Sequence, residues 1–410
     1  MTRKQHLVVI LILGALATIS PFSIDMYLPG FPSIAKDLNT TIDQVQLSLT
    51  SYLIGIAIGQ LLYGPLLDRF GRRAPLYAGL AVYILASIGC SLTHSIHALI
   101  IMRFLQALGG CAGMVASQAL VRDLFPIEKT AQAFSSLTLV IAVSPLIAPT
   151  IGGYVTVAFG WQFVFVILTS VMLLITVCIY FFLPEGRRAD ASLSLKPQAV
   201  MSNFLTVLKQ HQFLIYAFAG GIATAAPFAF IAGSSDVFIN LYHTTEQEYG
   251  WIFTIVASAI IGSTQLNHIL LKKYKSQQIV KVTLIVQTFV GAIMVFGTMN
   301  GWYDKYGLVA IMFVFLIGQG LTGPNGTALA LAPFTRLTGS AAAIQGSIRM
   351  GVGGLVSAAV SALHNNTAVP MVGMMALCGL AGLIILGVGK GTVRYRARKR
   401  QVEERPSVMM

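Results

Sequence analysis

Twelve apolar stretches recur along this chain of 410 residues, separated by short polar turns. They lie near 7–28, 45–66, 75–93, 97–119, 131–153, 161–183, 212–239, 249–271, 279–298, 306–331, 340–362 and 369–389. A membrane-crossing helix takes roughly 20 apolar residues, so twelve of them consume nearly the whole length. No room remains for a separate soluble catalytic domain. The pattern predicts an all-α polytopic membrane protein with twelve transmembrane helices.

The array is interrupted once, midway, by the longest polar stretch, Pro184 through Pro197. Beyond it Val200, Met201, Phe204, Leu205 and Leu208 recur at helical spacing with polar residues between. That is the signature of a short helix lying on the inner membrane face. The organisation read from this is a six-helix bundle over 1–183, a linker over 184–211, a second bundle over 212–389 and a basic tail over 390–410. Equal arrays on either side of a linker suggest duplication and two pseudo-symmetric halves. A local echo agrees: Thr41 with Gln44 before span 2 and Thr245 with Glu248 before span 8 both have capping-box spacing.

Composition fits the same class. The chain is 56% hydrophobic and 10% charged, whereas soluble domains carry about a quarter of their residues as charges. A net charge of +13 invites a nucleic-acid reading, but the positions of the charges oppose it. With both termini inside, outer loops hold only Lys36 and Lys305, Arg103 and Arg349 fall within spans, and the other 23 of 27 basic residues are cytoplasmic. This is the positive-inside bias, and it sets the expected orientation. Trp161, Trp251 and Trp302 all fall at outer span ends, where amphipathic rings favour the interface. The tail from Arg394 to Arg400 is suited to anionic headgroups. The N-terminus resembles a signal peptide but reads as an uncleaved first helix, because its apolar run continues past any cleavage site. Cys90, Cys111, Cys178 and Cys378 stand singly in apolar spans, and no His or Cys spacing points to a metal. No cofactor is expected.

The loop after span 2 reads Gly64-Pro65-Leu66-Leu67-Asp68-Arg69-Phe70-Gly71-Arg72-Arg73. Gly64-Pro65 is expected to end or kink the helix, and Gly71 to permit a tight turn. Asp68 can accept from a helix N-terminus or pair with a nearby Arg. Beyond a topogenic basic loop, the run can serve as a charge latch through Gly64, Asp68, Arg69, Gly71, Arg72 and Arg73. This loop resembles the signature of the major facilitator superfamily, with Leu67 and Arg73 replacing Ala and Lys. Arg103-Phe104-Leu105-Gln106 in span 4 resembles the Arg-x-x-Gln-Gly motif of its drug–proton antiporter branch, with Ala107 for Gly. Ser144-Pro145 and Ala148-Pro149-Thr150-Ile151-Gly152-Gly153 in span 5 resemble that branch's antiporter motif, so Pro145, Pro149, Gly152 and Gly153 are taken as its helix-packing residues. Asp25-Met26-Tyr27-Leu28-Pro29 in span 1 looks like the bicyclomycin/chloramphenicol-resistance subgroup. The resemblance implies proton-coupled efflux of amphipathic, drug-like compounds.

Ionisable residues inside spans are functional candidates, since polar groups in lipid are costly. Of 14 acids, only Asp25 and Asp236 fall within predicted spans. Asp25 and Arg103 are expected at similar depth, as a proton-coupling pair or a static one holding spans 1 and 4 together. Asp236 sits among small residues, Ala232-Gly233-Ser234-Ser235, that could let span 7 unwind; substrate contact and outer exposure are both open to it. Arg349, in mid-span 11, should face a cavity or an acid and suits anionic or dipolar substrates. Its alternative is a buried bond to backbone carbonyls. Gln60, Gln118 and Gln345 are candidates for substrate hydrogen bonds or helix bridges, and Tyr27 and Tyr52 for aromatic cavity walls. With no phosphate-binding glycine loop and no nucleophile–base arrangement, neither an ATP-driven pump nor an enzyme is expected.

The expectation is a proton-coupled exporter working by alternating access. A single-metabolite carrier and a non-transporting sensor are the alternatives. Its partners would be a small amphipathic substrate, protons and the lipid bilayer of the inner membrane, without nucleic acid and as a monomer.

Overall fold

The computed structural model describes residues 3–125, 127–186, 189, 197–334 and 337–403, with the side chains of 3–6, 197, 199 and 338, those beyond 389 and several between 126 and 142 excepted. Linker residues 187, 188 and 190–196 and the chain's last residues, 404–410, lie outside the described residues, and the expected basic tail begins as a continuation of the last helix to Glu403. Fifteen α-helices succeed one another: α1 (Arg3–Asp25), α2 (Phe31–Asp37), α3 (Ile42–Phe70), α4 (Arg73–Leu92), α5 (Ile96–Leu124), α6 (Ile127–Phe159), α7 (Gln162–Phe182), α8 (Pro197–Leu208), α9 (His211–Ala223), α10 (Ala226–Ser235), α11 (Glu246–Leu270), α12 (Ser276–Met299), α13 (Lys305–Leu331), α14 (Thr338–Ala362) and α15 (Val369–Glu403). Ten spans are long and apolar enough to cross a membrane, α9 and α10 together making one of them. Twelve are completed by α6, whose apolar stretch runs Val143–Phe159, and by α14, which Gly, Ser, Gln and Arg residues make less apolar.

In the first half α5 packs on α1, α3 and α4, while α6 packs on α1 and α7 on α4. In the second, α13 packs on α9, α11 and α12, and α15 on α9, α10 and α12. Between the halves α3 lies along α14 and α6 along α11. Counted as spans, 2 meets 11 and 5 meets 8, so exchanging the halves converts one contact into the other. That is the pseudo-two-fold expected of a duplicated six-helix unit. Large apolar residues left exposed, such as Leu173, Leu174, Val177 and Phe181 on α7 and Val282, Val286 and Phe289 on α12, form the belt that lipid covers.

Several local expectations are revised. Gly64-Pro65 does not end α3, which runs on to Phe70; termination falls at Gly71, whose φ of 78° is a conformation that glycine adopts without strain. Span 7 breaks earlier than its small residues suggest, at Thr224–Ala225, where Pro227 restarts the helix, and it widens into a π-turn from Asp236 to Leu241. Thr245 caps α11 by accepting from the Glu248 amide at 3.1 Å, but the Thr41 side chain makes no such bond. All three tryptophans sit at one end of the bundle. Trp251 and Trp302 are exposed as an interface requires, but Trp161 is buried and donates to Asp37 at 3.0 Å, tying α7 to α2. The linker helix α8 forms as expected, and its Val207 is fully buried against the second half.

The prolines of α6 leave the helix continuous, and the glycines after them do the packing. A methyl group on Gly152 would collide with the Met26 carbonyl oxygen, and one on Gly153 would stand 2.6 Å from the Glu246 carbonyl oxygen. From the other side, a Cβ on Gly250 of α11 would lie 2.8 Å from the Thr150 Cα. Backbones approach this closely only where side chains are missing. Gly152→Ala and Gly250→Ala should each cost roughly 1–3 kcal/mol through overpacking. Gly64→Ala, whose added methyl meets nothing within 4 Å, should leave the thermal unfolding midpoint in detergent unchanged.

Candidate functional site

Helix crossing at one end leaves a gap at the other. Where α3 meets α14, the Thr50 hydroxyl donates to Ser357 Oγ at 2.9 Å and Ser361 Oγ to the Asp43 carbonyl at 2.8 Å. Where α6 meets α11, Thr254 Oγ1 donates to the Leu146 carbonyl at 2.7 Å, in the turn that Pro145 and Pro149 flank. Ser33 of α2 donates to Glu246 Oε1 at 2.8 Å. These bonds seal the halves together at the tryptophan end. Toward the linker end a cavity of about 620 Å³ opens between α3 and α5 on one side and α13 and α14 on the other, with α8 at its rim.

Of the expected cavity residues, Gln60, Gln118, Gln345 and Arg349 line it. Gln345 also donates to Thr327 Oγ1 at 2.9 Å, bridging α14 to α13. Arg349 is exposed to the cavity and has no hydrogen-bond or ion-pair partner among the described residues, neither an acid nor a backbone carbonyl. Among the described residues the acids along the wall are Asp68 and Asp123, which stand near the rim and are both held by Arg72.

Tyr27, Tyr52 and Asp236 are elsewhere. The two tyrosines are fully buried in the first half, around Arg103. The Arg103 guanidinium lies 4.6 Å from the Tyr27 ring centre, 4.1 Å from Tyr52 and 5.7 Å from Phe165. It donates to Gln106 Oε1 at 2.5 Å and to the Ser23 carbonyl at 3.0 Å. Gln106 in turn donates to Ser87, and Ser23 shares a 2.6 Å bond with the Tyr83 hydroxyl. Each aromatic face contributes on the order of 0.5–2 kcal/mol to a desolvated cation; together with charge-assisted bonds this offsets the burial of a charge with no carboxylate beside it.

Asp25 and Arg103 therefore do not pair. The reason is helical phase: the Ser23 side chain turns inward to Tyr83 beside Arg103, and Asp25, two residues on, points about 200° away. It is buried at 4% exposure, has no partner among the described residues and lies within electrostatic reach of Tyr249 on α11. Tyr249 shares a 2.8 Å hydrogen bond with Ser234. Asp25 thus sits at the seam between halves rather than in the core of one. Asp236 is not in the cavity either; in the π-turn it accepts from Asn240 and bonds His364 Nε2, each at 2.7 Å. Glu246 was missed because its Thr-Thr-Glu-Gln-Glu setting reads as a cap; it occupies the seam with its second oxygen, Oε2, buried and unpartnered.

The basic loop is knit within the first half. Arg72 bonds Asp68 at 2.8 Å and Asp123 at 2.7 Å, and Arg73 donates to the Leu183 carbonyl at 2.8 Å. Burial opposes the Arg72 charge, but the two carboxylates outweigh it and hold its pKa above the ordinary value. Arg69 lies in the last turn of α3, at the negative end of the helix dipole. Asp123 was overlooked in the sequence, although an acid after Arg122 at the end of span 4 was a signal available there. Asp123→Asn should destabilise the protein by roughly 3 kcal/mol, because it strips the buried Arg72 of its better-shielded partner. Asp68→Asn should cost under about 1 kcal/mol, its carboxylate being half exposed. Unfolding midpoints of the two variants measured side by side check the order.

Similarity to known proteins agrees with this architecture. The Major Facilitator Superfamily profile matches residues 13–358. The bicyclomycin resistance protein homolog of Haemophilus influenzae is 32% identical over 379 residues, covering 92% of this chain and 94% of that protein. The chloramphenicol resistance protein of Pseudomonas aeruginosa is 28% identical, covering 92% and 89%, and multidrug resistance protein D of Escherichia coli is 28% identical, covering 94% and 96%. Among solved structures, a D-xylose–proton symporter aligns with a TM-score of 0.71 at 17% identity over 94% of this chain and 97% of that one. A bacterial homolog of the human lysosomal transporter Spinster aligns at 0.70 and 12%, over 95% and 96%. The chain belongs to the major facilitator superfamily and is a polytopic membrane protein. Within that superfamily it groups with the bicyclomycin- and chloramphenicol-resistance proteins.

Proposed function

We propose that this protein exports amphipathic, drug-like molecules in exchange for protons. The observation that carries the reading is the cavity: midway between two pseudo-symmetric halves, sealed at one end by α3–α14 and α6–α11 and open toward the linker. A carrier whose halves rock about such a seam exposes one site alternately to each side. Names of relatives that confer resistance to bicyclomycin and chloramphenicol support efflux of small amphipathic compounds. The distribution of basic residues supports placing the linker, both termini and the open cavity on the cytoplasmic side of the inner membrane. The protein acts as a monomer in this reading, the two six-helix halves supplying both walls of the cavity.

Asp25 is the proton-coupling residue in this reading, with Arg103 acting through the rigidity of the core that backs α1 rather than as its ion partner. Glu246 is a second acid on the seam. When the halves part, both carboxyls meet water; when they close, Asp25 is left without a counter-charge. The Asp68–Arg72–Asp123 cluster is the latch that trades partners as the linker end opens and shuts.

In proteoliposomes with an imposed pH gradient, chloramphenicol-dependent proton flux read by a lumenal dye should be present in the wild type and abolished in Asp25→Asn. Arg103→Lys should keep the flux only in part, since an ammonium cannot span the Gln106 and Ser23 acceptors together. Drug counterflow without proton movement in the wild type would point instead to an uncoupled carrier. An Asp25→Asn variant that pumps normally would remove Asp25 from the mechanism.

A further inference from the structure

The cavity's charge arrangement carries information about its cargo, given that it is the transport site. Among the described residues its lining holds five ionisable side chains, Asp68, Arg72, Arg122, Asp123 and Arg349. Four belong to the rim, where both acids are engaged with Arg72. Farther in, the wall offers amides (Gln60, Gln118 and Gln345), apolar surface such as Met114, Val115 and Met350, and one cation, Arg349. That cation has no acid or carbonyl to answer it among the described residues, and Asp25 is not part of the wall. Arg349 lies near mid-span of α14, too far from either end for the side chain to snorkel to water along its own helix.

We propose that the site selects by charge: it takes amphipathic molecules bearing one anionic group, tolerates neutral dipolar ones and rejects organic cations. A monoanion would supply the counter-charge that the fold withholds from Arg349, in a bidentate geometry that a guanidinium offers to carboxylate, sulfonate or phosphate alike. Its apolar body would lie on the methionine and valine wall, and its remaining polar atoms would meet the three amides. A cation entering the same space would confront Arg349 with no acid close enough to offset it, because both acids of the wall are engaged at the rim. The cavity of about 620 Å³ holds one drug-sized molecule with room for water.

The test is equilibrium binding to detergent-purified full-length protein, which needs no proton gradient. The probes are a matched radiolabelled pair, 4-phenylbutyrate and 3-phenylpropyltrimethylammonium, alike in their apolar part and opposite in charge. The wild type should bind the carboxylate at least about tenfold more tightly than the ammonium. Arg349→Gln, which keeps a polar but uncharged and shorter side chain, should bring the two within about twofold, and Arg349→Glu should invert the order. Equal or preferential binding of the ammonium by the wild type would overturn the proposal. So would an Arg349→Gln variant, shown folded by its unfolding midpoint, that kept the carboxylate preference. Charge-selective binding through Arg349 without accompanying proton flux in liposomes would refute antiport and leave the charge selection standing.

Discussion

Everything in this molecule turns on how closely two helix pairs can approach across the seam between its halves. α6 reaches α11 and the end of α1 because Gly152, Gly153 and Gly250 present backbone where any side chain would intrude. α3 reaches α14 through Thr50, Ser357 and Ser361, small hydroxyl residues that bond across the contact. In lipid there is no hydrophobic drive to bring helices together, so close packing and interhelical hydrogen bonds must supply it. With the seam shut at one end, the halves splay at the other, and the splay is the cavity. The same closeness that buries Asp25 and the Ser33–Glu246 bond therefore also decides which face is open.

Rocking about such a seam needs halves that do not deform. The first half is stiffened by a buried polar core in which Arg103 is held by three aromatic rings and two acceptors, with Gln106, Ser87, Ser23 and Tyr83 linking α5 to α4 and α1. A buried cation without a carboxylate is costly to lose and costly to rearrange. The second half uses amides for the same purpose: Gln319 donates to the Ala223 carbonyl at 2.9 Å and Asn325 to Asn267 Oδ1 at 2.6 Å, tying α13 to α9 and α11. The cavity residues and the buried Asp25 are thereby separated in space, the first between the halves toward the linker end and the second on the seam.

The fold was legible because apolar length and charge placement are one-dimensional signals, and membranes make them decisive. The basic loop after α3 and the packing glycines were legible as motifs. Arg349 was legible because a mid-span charge has few places to go. What failed were judgements that depend on helical phase. Asp25 and Arg103 share a depth, but the guanidinium meets the Ser23 backbone carbonyl rather than the Asp25 carboxylate. Tyr27 and Tyr52 were placed correctly along their helices yet on the wrong side for the cavity, inside the Arg103 cage. Asp236 found His364, a partner 128 residues away that no local pattern announces. Glu246 was hidden by the capping signal around it, although the adjoining Thr245 does cap α11.

The central claim is that transport requires the sealed seam to open. Thr50 and Ser357, whose hydroxyls touch across it at 2.9 Å, can be replaced by cysteines in a protein whose four native cysteines have been removed, and the pair cross-linked by oxidation. Substrate flux in liposomes would then be measured in the oxidised and the reduced protein. The account predicts that the disulfide stops transport and that a reductant restores it. Undiminished flux through fully cross-linked protein would contradict it, since substrate would then be crossing without the halves parting.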